Sequence, residues 1–314
     1  MSRIQQVLQK AQQDGVARRT RDVEEHPAAR MAAMPVLVAP DDTRPLRVDL
    51  VNTPPLTPAE PLAGRTIQTA PQPHPLLVAV TAPHSPAAER YRSLRTRIAQ
   101  TENGSPRRAL MLTSPGRGEG KSMTSVNLGL TMAQEFHRRV IVVDTDMRRP
   151  CVHALLGLPL SPGLSDVLLG GATLQDVMVT IPDYRLTIVP AGLPPEQPTE
   201  LLGSTAMRRV LEELRSQFDR ILLDAPPVGP LADVGVVGRL VDSVLLVVRA
   251  GRTPRPAIER ALVEIAPSVV LGLVLNDAGG PEAGAYGFDS DGHGYAAAAR
   301  RPRTTAPAID PAPR

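Results

Sequence analysis

Cysteine is almost missing from this chain: Cys151 stands alone among 314 residues. A single thiol excludes an intramolecular disulfide framework and fits a reducing compartment. Aromatic residues make up only 2%, with no tryptophan, although apolar residues reach 42%, enough for a real core. No apolar run approaches the ~18 residues of a membrane span. The opening MSRIQQVLQKAQQDG is polar and periodic, unlike the hydrophobic region of a secretory leader. An excess of one charge is lacking too: 35 basic against 32 acidic residues leaves +3, which gives no argument for a nucleic-acid partner. The six histidines show no metal-ligand spacing. A cytoplasmic, partly globular protein is expected. Lysine is scarcest of all, since only Lys10 and Lys121 occur among the 35 basic residues. In such a chain a lysine inside a motif carries weight.

Proline is plentiful, at 34 residues, more than packed elements can hold. Residues 1–25 contain one short amphipathic helix pattern, with Ile4, Val7, Leu8 and Ala11 at helical spacing. Residues 26–84 are rich in Pro, Ala and Thr without a sustained period and read as a disordered linker. From 85 to 278 apolar runs alternate with helical patterns. Ser85-Pro86 marks an N-cap and first turn, and a helix follows to about Gln100. Strands are expected at Ala109–Thr113, Val140–Asp144, Leu186–Pro190, Ile221–Asp224, Ser243–Arg249 and Val269–Asn276. Helices are expected at Ser122–Phe136, Thr205–Gln217 and Pro256–Ile265. Continuous Val/Ile/Leu strands separated by helices predict an α/β fold, a doubly wound, mostly parallel sheet covered on both faces. Residues 279–314, rich in Gly, Ala, Pro and Arg, read as a flexible tail.

Three motifs carry chemistry. Thr113-Ser-Pro-Gly-Arg-Gly-Glu-Gly-Lys-Ser122 follows a strand and opens a helix, the context a phosphate loop requires. Its backbone N–H groups and the helix dipole suit phosphate oxygens, which makes Gly116, Gly118, Glu119, Gly120, Lys121, Ser122 and Met123 the candidate nucleotide cradle. Lys121 would reach the β/γ-phosphates and Ser122 would ligate Mg2+. The first position of the full phosphate-loop pattern is Pro115 instead of glycine. In Ile141-Val-Val-Asp-Thr-Asp-Met-Arg-Arg-Pro150, Asp144 and Asp146 sit at a strand's C-terminal end, where open α/β sheets bind ligands. Two carboxylates so close repel and want a cation between them. In Ile221-Leu-Leu-Asp-Ala-Pro-Pro227, Asp224 ends another buried strand, as the second Mg2+-side aspartate of a phosphate-loop enzyme should. Glu89, Arg92 and Arg95 recur in steps of three along the first helix, a pattern that by itself describes a solvated charged face.

Together these residues resemble the bacterial tyrosine kinases (BY-kinases) of capsule and exopolysaccharide synthesis, in their separate cytoplasmic form. The resemblance rests on Ser85-Pro-x-x-Glu-x-x-Arg-x-x-Arg-Thr96, the phosphate loop, Asp144-x-Asp146-x-Arg-Arg-Pro150, Gly163-Leu-Ser-Asp-Val-Leu-Leu-Gly170, Pro198-Thr-Glu-Leu-Leu-Gly-Ser204, Asp224-Ala-Pro-Pro227 and Leu231-Ala-Asp233. It implies a phosphate-loop ATPase fold, ATP and Mg2+ as cofactors, and phosphoryl transfer to tyrosines in the tail of a neighbouring subunit. It also implies a ring-like homo-oligomer joined through Glu89, Arg92 and Arg95. The partners it implies are a membrane activator of the chain-length-determinant type, which recruits the protein to the inner face of the membrane, and a cognate tyrosine phosphatase. Two departures stand out: only Tyr286 and Tyr295 follow the core where a tyrosine cluster is usual, and Arg117 stands where the family often has proline. Tyrosine has a pKa near ~10, so a carboxylate, Asp144 or Asp146, is expected to help remove its proton. The competing readings are a partner-switching ATPase of the ParA/MinD sort and a nucleotide-binding adaptor without turnover. The first would carry a lysine five residues before Lys121, where this chain has Gly116.

Overall fold

The computed structural model describes residues 73–102, 107–135, 138–229 and 232–278, together with the backbone of two short strands that precede them. These early strands are β1 (Val36–Val38) and β2 (Arg65–Thr66). The remaining strands are β3 (Ala109–Thr113), β4 (Val140–Asp144), β5 (Val179–Ile181), β6 (Leu186–Val189), β7 (Arg220–Asp224), β8 (Ser243–Arg249) and β9 (Val270–Asn276). They form one sheet in the order β1-β9-β8-β3-β7-β4-β6-β5-β2. The five pairings from β9 across to β6 are all parallel. β5 runs antiparallel to β6, and β1 antiparallel to β9.

The central strands are Val/Ile/Leu runs because each buries both faces. One face carries Met111, Ile141, Val143, Leu223, Val244 and Leu246. Against it pack α8 (Thr205–Gln217), through Met207, Val210, Leu211 and Leu214, and α10 (Arg255–Ile265), through Ala261, Leu262 and Ile265. The alternate residues Leu110, Leu112, Val142, Leu222, Leu245 and Val247 face the other side. There they meet α2 (Pro86–Gln100), through Tyr91, Leu94 and Ile98, and α3 (Lys121–Ala133), through Val126, Leu128 and Leu130. The period of two in the strands thus sorts two cores, and the fold is doubly wound as the alternating pattern predicts. Helix α3 lies directly on the sheet because Gly129 leaves room: a Cβ there would stand 2.6 Å from Val142 Cγ2. Ser85 caps α2, accepting from the Ala88 N–H at 3.2 Å, with Pro86 at the first helical position.

Shorter helices fill the crossovers: α1 (Val78–Thr81), α4 (Val152–Leu155), α5 (Leu164–Leu168), α6 (Leu174–Val177), α7 (Pro198–Leu202) and α9 (Asp233–Gly238). None has enough turns to show a helical period in sequence. β5 is three residues long and escapes the strand pattern for the same reason. Most of residues 1–72 and all of 279–314, with the expected N-terminal helix and the tail, lie outside the described residues.

The expected start of the folded part at Ser85 moves to about His74. The His74 N–H donates to the Leu155 carbonyl at 2.9 Å, and Leu77 is fully buried. Asn127, buried in α3, clamps this segment. Its Nδ2 donates to the carbonyls of Leu76 and Met123, each at 3.0 Å, and its Oδ1 accepts from the Ala79 N–H at 3.0 Å. The proline-rich composition concealed the docking because the segment is too short to show a period: Leu77 and Ala79 join the core beside α2 and α3, and polar contacts hold the rest. The edge strands β1 and β2 add two further backbone anchors within residues 26–84. Replacing Asn127 by Ala strands the buried Ala79 N–H and should cost about 1–3 kcal/mol. Urea unfolding measures this, with faster proteolysis around residues 74–84 as a second readout; a loss under about 0.5 kcal/mol would show that the clamp is idle.

Candidate active site

Strand order reverses at β3, whose neighbours are β7 and β8, so the loops after β3, β4 and β7 meet at one crevice beyond their C-terminal ends. The glycine-rich loop after β3 leads into the N-terminus of α3. Gly120 has φ +90°, and a Cβ on it would stand 2.0 Å from Asn276 Nδ2. Only glycine fits that conformation and that contact. Asn276, at the end of β9, donates its Nδ2 to the Glu119 carbonyl at 2.8 Å. Glu119 itself turns its carboxylate away from the crevice. Its Oε2 accepts from the Arg249 N–H at 3.2 Å and the Thr253 hydroxyl at 2.9 Å, and burial pushes its pKa up. Among the candidate cradle residues, Glu119 thus ties the loop to β8 and β9. Arg117 and Gly118 are exposed.

Lys121 opens α3 with its ammonium directed at carboxylates. Nζ is 2.9 Å from Asp146 Oδ2, 3.4 Å from Asp224 Oδ2 and 3.1 Å from Ser122 Oγ. Asp144 and Asp224 are register partners on adjacent parallel strands, which places both fully buried carboxylates at one level of the sheet. β4 ends at Asp144, so Asp146 is delivered by a turn instead of a continuing strand. The Thr145 N–H bonds to the Asp224 carbonyl at 2.9 Å, and the Arg149 N–H donates to Asp146 Oδ1 at 3.1 Å. Asp144 is held by backbone: its Oδ1 accepts from the Asp146 N–H, and its Oδ2 from the N–H groups of Cys151 and Val152, each at 3.1 Å. Ser125, one turn into α3, donates to Asp224 Oδ1 at 3.1 Å.

The electrostatics follow from this crowding. Burial and the neighbouring Asp224 push the Asp144 carboxyl up to about 8, against which the backbone N–H of Val152 and the Lys121 charge work. Burial raises Asp224 as well, with Lys121 opposing. Burial alone would lower Lys121, but the Asp224 and Asp146 carboxylates more than offset it and hold the amine charged. One cation among three buried carboxylates leaves negative charge uncompensated. Among the described residues no three His, Cys, Asp or Glu side chains form a complete metal cage. That donor set fits Mg2+, which takes one or two carboxylates and fills its other positions with phosphate oxygens and water.

The other sequence candidates fall in different places. Tyr91 is buried in α2, its hydroxyl pushed up to about 12 by burial, and is a core residue. Tyr286 and Tyr295 lie outside the described residues. On α2, Arg92 pairs with Glu89 at 2.8 Å and donates to the Pro83 carbonyl at 2.6 Å. Arg95 pairs with Glu135 at 3.1 Å and donates to the Thr131 carbonyl at 2.9 Å. The two arginines therefore have partners within the chain, while Glu89 is 65% exposed. Residues that support the site without a sequence signal are Asn276, Thr253 and Ser125, whose roles depend on contacts across the fold.

No protein-family model matches the chain. Among curated proteins it is 32% identical over 202 residues to tyrosine-protein kinase YwqD of Bacillus subtilis (strain 168), covering 64% of this chain and 85% of that one. It is 33% identical to tyrosine-protein kinase CpsD of Streptococcus agalactiae serotype III (strain NEM316), over 60% of this chain and 81% of that one. Among solved structures it superposes on the kinase domain of Escherichia coli tyrosine kinase ETK with a TM-score of 0.61 and 30% identity, covering 64% of this chain and 79% of that one.

Lys121 holds the cluster together as well as facing the crevice. Exchanging it for Met leaves buried carboxylates unpaired and should cost about 3–5 kcal/mol. Carboxyls whose folded pKa is raised contribute stability at low pH and lose it as pH rises through the folded value, here about 8 for Asp144. The Lys121→Met loss should therefore be largest near about pH 8 and shrink towards about pH 5 as the carboxylates take up protons. Denaturant unfolding at both pH values checks this; a loss independent of pH would contradict it.

Proposed function

The chain belongs to the bacterial tyrosine kinases, and from that premise we propose a Mg2+·ATP-dependent autokinase that phosphorylates tail tyrosines of neighbouring copies and thereby regulates capsule or exopolysaccharide synthesis and export. The observation that carries the reading is the convergence of Lys121, Ser122, Asp146 and Asp224 within one crevice at the switch point of the sheet.

In this reading the backbone of residues 116–123 holds the phosphates at the N-terminus of α3, with Gly116, Gly118, Gly120 and Met123 contributing main chain. Lys121 neutralises phosphate charge. Ser122, Asp146 and Asp224 hold Mg2+, which when bound screens the charge that develops on the transferred phosphoryl group. Asp144 keeps the turn in place, since three backbone N–H groups already occupy its oxygens. Of Asp144 and Asp146, it is Asp146 that directs an oxygen at Lys121 in the crevice, and it is the candidate base for the tyrosine hydroxyl. The chemistry then needs mostly positioning and charge stabilisation from this chain.

Tyr286 and Tyr295 are the proposed acceptors. Tyr286 is eight residue steps beyond Ala278, at most roughly 28 Å when extended, a reach suited to a neighbouring subunit in a ring. The homo-oligomer is proposed to use the α2 face, where Glu89 is the most exposed of the three charged candidates. No helix among the described residues is long and apolar enough to cross a membrane. Recruitment to the inner face of the membrane by an activator of the chain-length-determinant type is part of the proposal, as is reversal by a cognate tyrosine phosphatase.

The test mixes Asp224→Asn protein, tail intact, with active protein in which Tyr286 and Tyr295 are both Phe, in Mg2+·ATP. Mass spectrometry should place phosphotyrosine on the tail of the Asp224→Asn partner. Undiminished phosphotyrosine on the double-Phe protein would show that the acceptors lie elsewhere.

A further inference from the structure

Three segments after three different strands meet at one buried carboxylate. Asp233, the first residue of α9, is 1% exposed. Its Oδ2 accepts from Arg148 Nε at 2.7 Å and its Oδ1 from Arg148 Nη2 at 3.3 Å. The Thr199 hydroxyl of α7 donates to the same Oδ1 and accepts from Arg148 Nη2 at 3.2 Å. A buried carboxylate is costly unless its oxygens are satisfied, and a two-point guanidinium fork also fixes orientation.

The fork lies two residues beyond Asp146. The turn between Asp144 and Val152 is fastened at its ends, by Thr145 on Asp224 and by Cys151 and Val152 on Asp144. Its middle is fastened to the rest of the domain by Arg148. Between these points Asp146 directs Oδ2 at Lys121, and its Oδ1 and carbonyl both accept from the Arg149 N–H, at 3.1 and 3.2 Å. Asp233 therefore stands in a line that runs through Arg148 and the turn to Asp146 and then to the phosphate-loop lysine.

We propose that Asp233 is a positioning residue for the kinase reaction, acting through Arg148 to hold the Asp146 turn in register with Lys121 and the Mg2+ site. The inference rests on the assignment of Asp146 to that site. Thr199 locks the fork from α7, so the segments after β4, β6 and β7 are set relative to one another by a single carboxylate. Residues supporting a metal ligand typically change metal affinity or activity by about 10–100-fold when altered.

Asp233→Asn, Arg148→Gln and the double variant, in which two amides can pair, are compared with wild type. The first readout is amide hydrogen exchange of residues 145–150 in protein free of nucleotide and metal, expected to speed up about tenfold while β6 is unchanged. The second is the Mg2+ concentration for half-maximal phosphorylation at saturating ATP, expected to rise about tenfold. The double variant should be no worse than the more affected single one, because the two residues act as a unit. If the single variants do not fold, the double variant is expected to show the same two changes. Either readout remaining at its wild-type value in a folded variant overturns the inference. Asp146→Asn runs alongside: an unchanged Mg2+ requirement there would instead overturn the Asp146 assignment.

Discussion

One lysine faces three buried carboxylates at the reversal point of the sheet, and the rest of the site is arranged around that imbalance. Lys121 cannot neutralise Asp144, Asp146 and Asp224 together. Asp144 answers by drawing three backbone N–H groups and by holding its proton to about 8. Asp224 draws Ser125. What remains is an anionic crevice lined by a phosphate loop, a place where a divalent cation and a polyphosphate are each incomplete without the other. A kinase gains from this, because the charge partners of the transition state stand in position before substrate arrives.

The architecture makes the imbalance unavoidable. Asp144 and Asp224 end neighbouring parallel strands in register, so neither can move away from the other without breaking the ladder. The loop that carries Lys121 is fixed from the opposite side by Asn276 and by the Glu119 contacts to β8 and its following turn. The last strand of the domain therefore touches the phosphate loop just before residues 279–314 begin.

Much of this was legible in the sequence. The six longer strands and the larger helices announced themselves through aliphatic runs and helical spacing, because central parallel strands are buried on both faces. The phosphate loop was legible because a strand, a glycine-rich turn and a rare lysine coincided. Other features were not. The strand was expected to end at Asp144, as it does, but nothing in the sequence announced the turn, sustained by backbone hydrogen bonds, that delivers Asp146. Glu119 sits inside the motif yet faces away, which only the positions of Arg249 and Thr253 explain. By spacing alone Arg92 and Arg95 read as a solvated charged face; the pair Arg92–Glu89 lies within that pattern, but the other partners Pro83, Thr131 and Glu135 are distant or irregular in sequence. The docking of residues 74–81 combines the burial of Leu77 and Ala79 with a clamp from one asparagine in a helix, too short a stretch to show a period.

The charge imbalance is tested most directly by calorimetry of the whole protein with ADP and Mg2+, with ADP and a chelator, and with neither. A ligand present at 100 times its Kd stabilises by about 2.7 kcal/mol. The account predicts that ADP with Mg2+ stabilises by an amount of that order, read as a rise in Tm of roughly 5–10 °C, and that ADP with chelator raises Tm far less, because phosphates alone add negative charge beside Asp146 and Asp224. An equal rise with and without Mg2+ would contradict it.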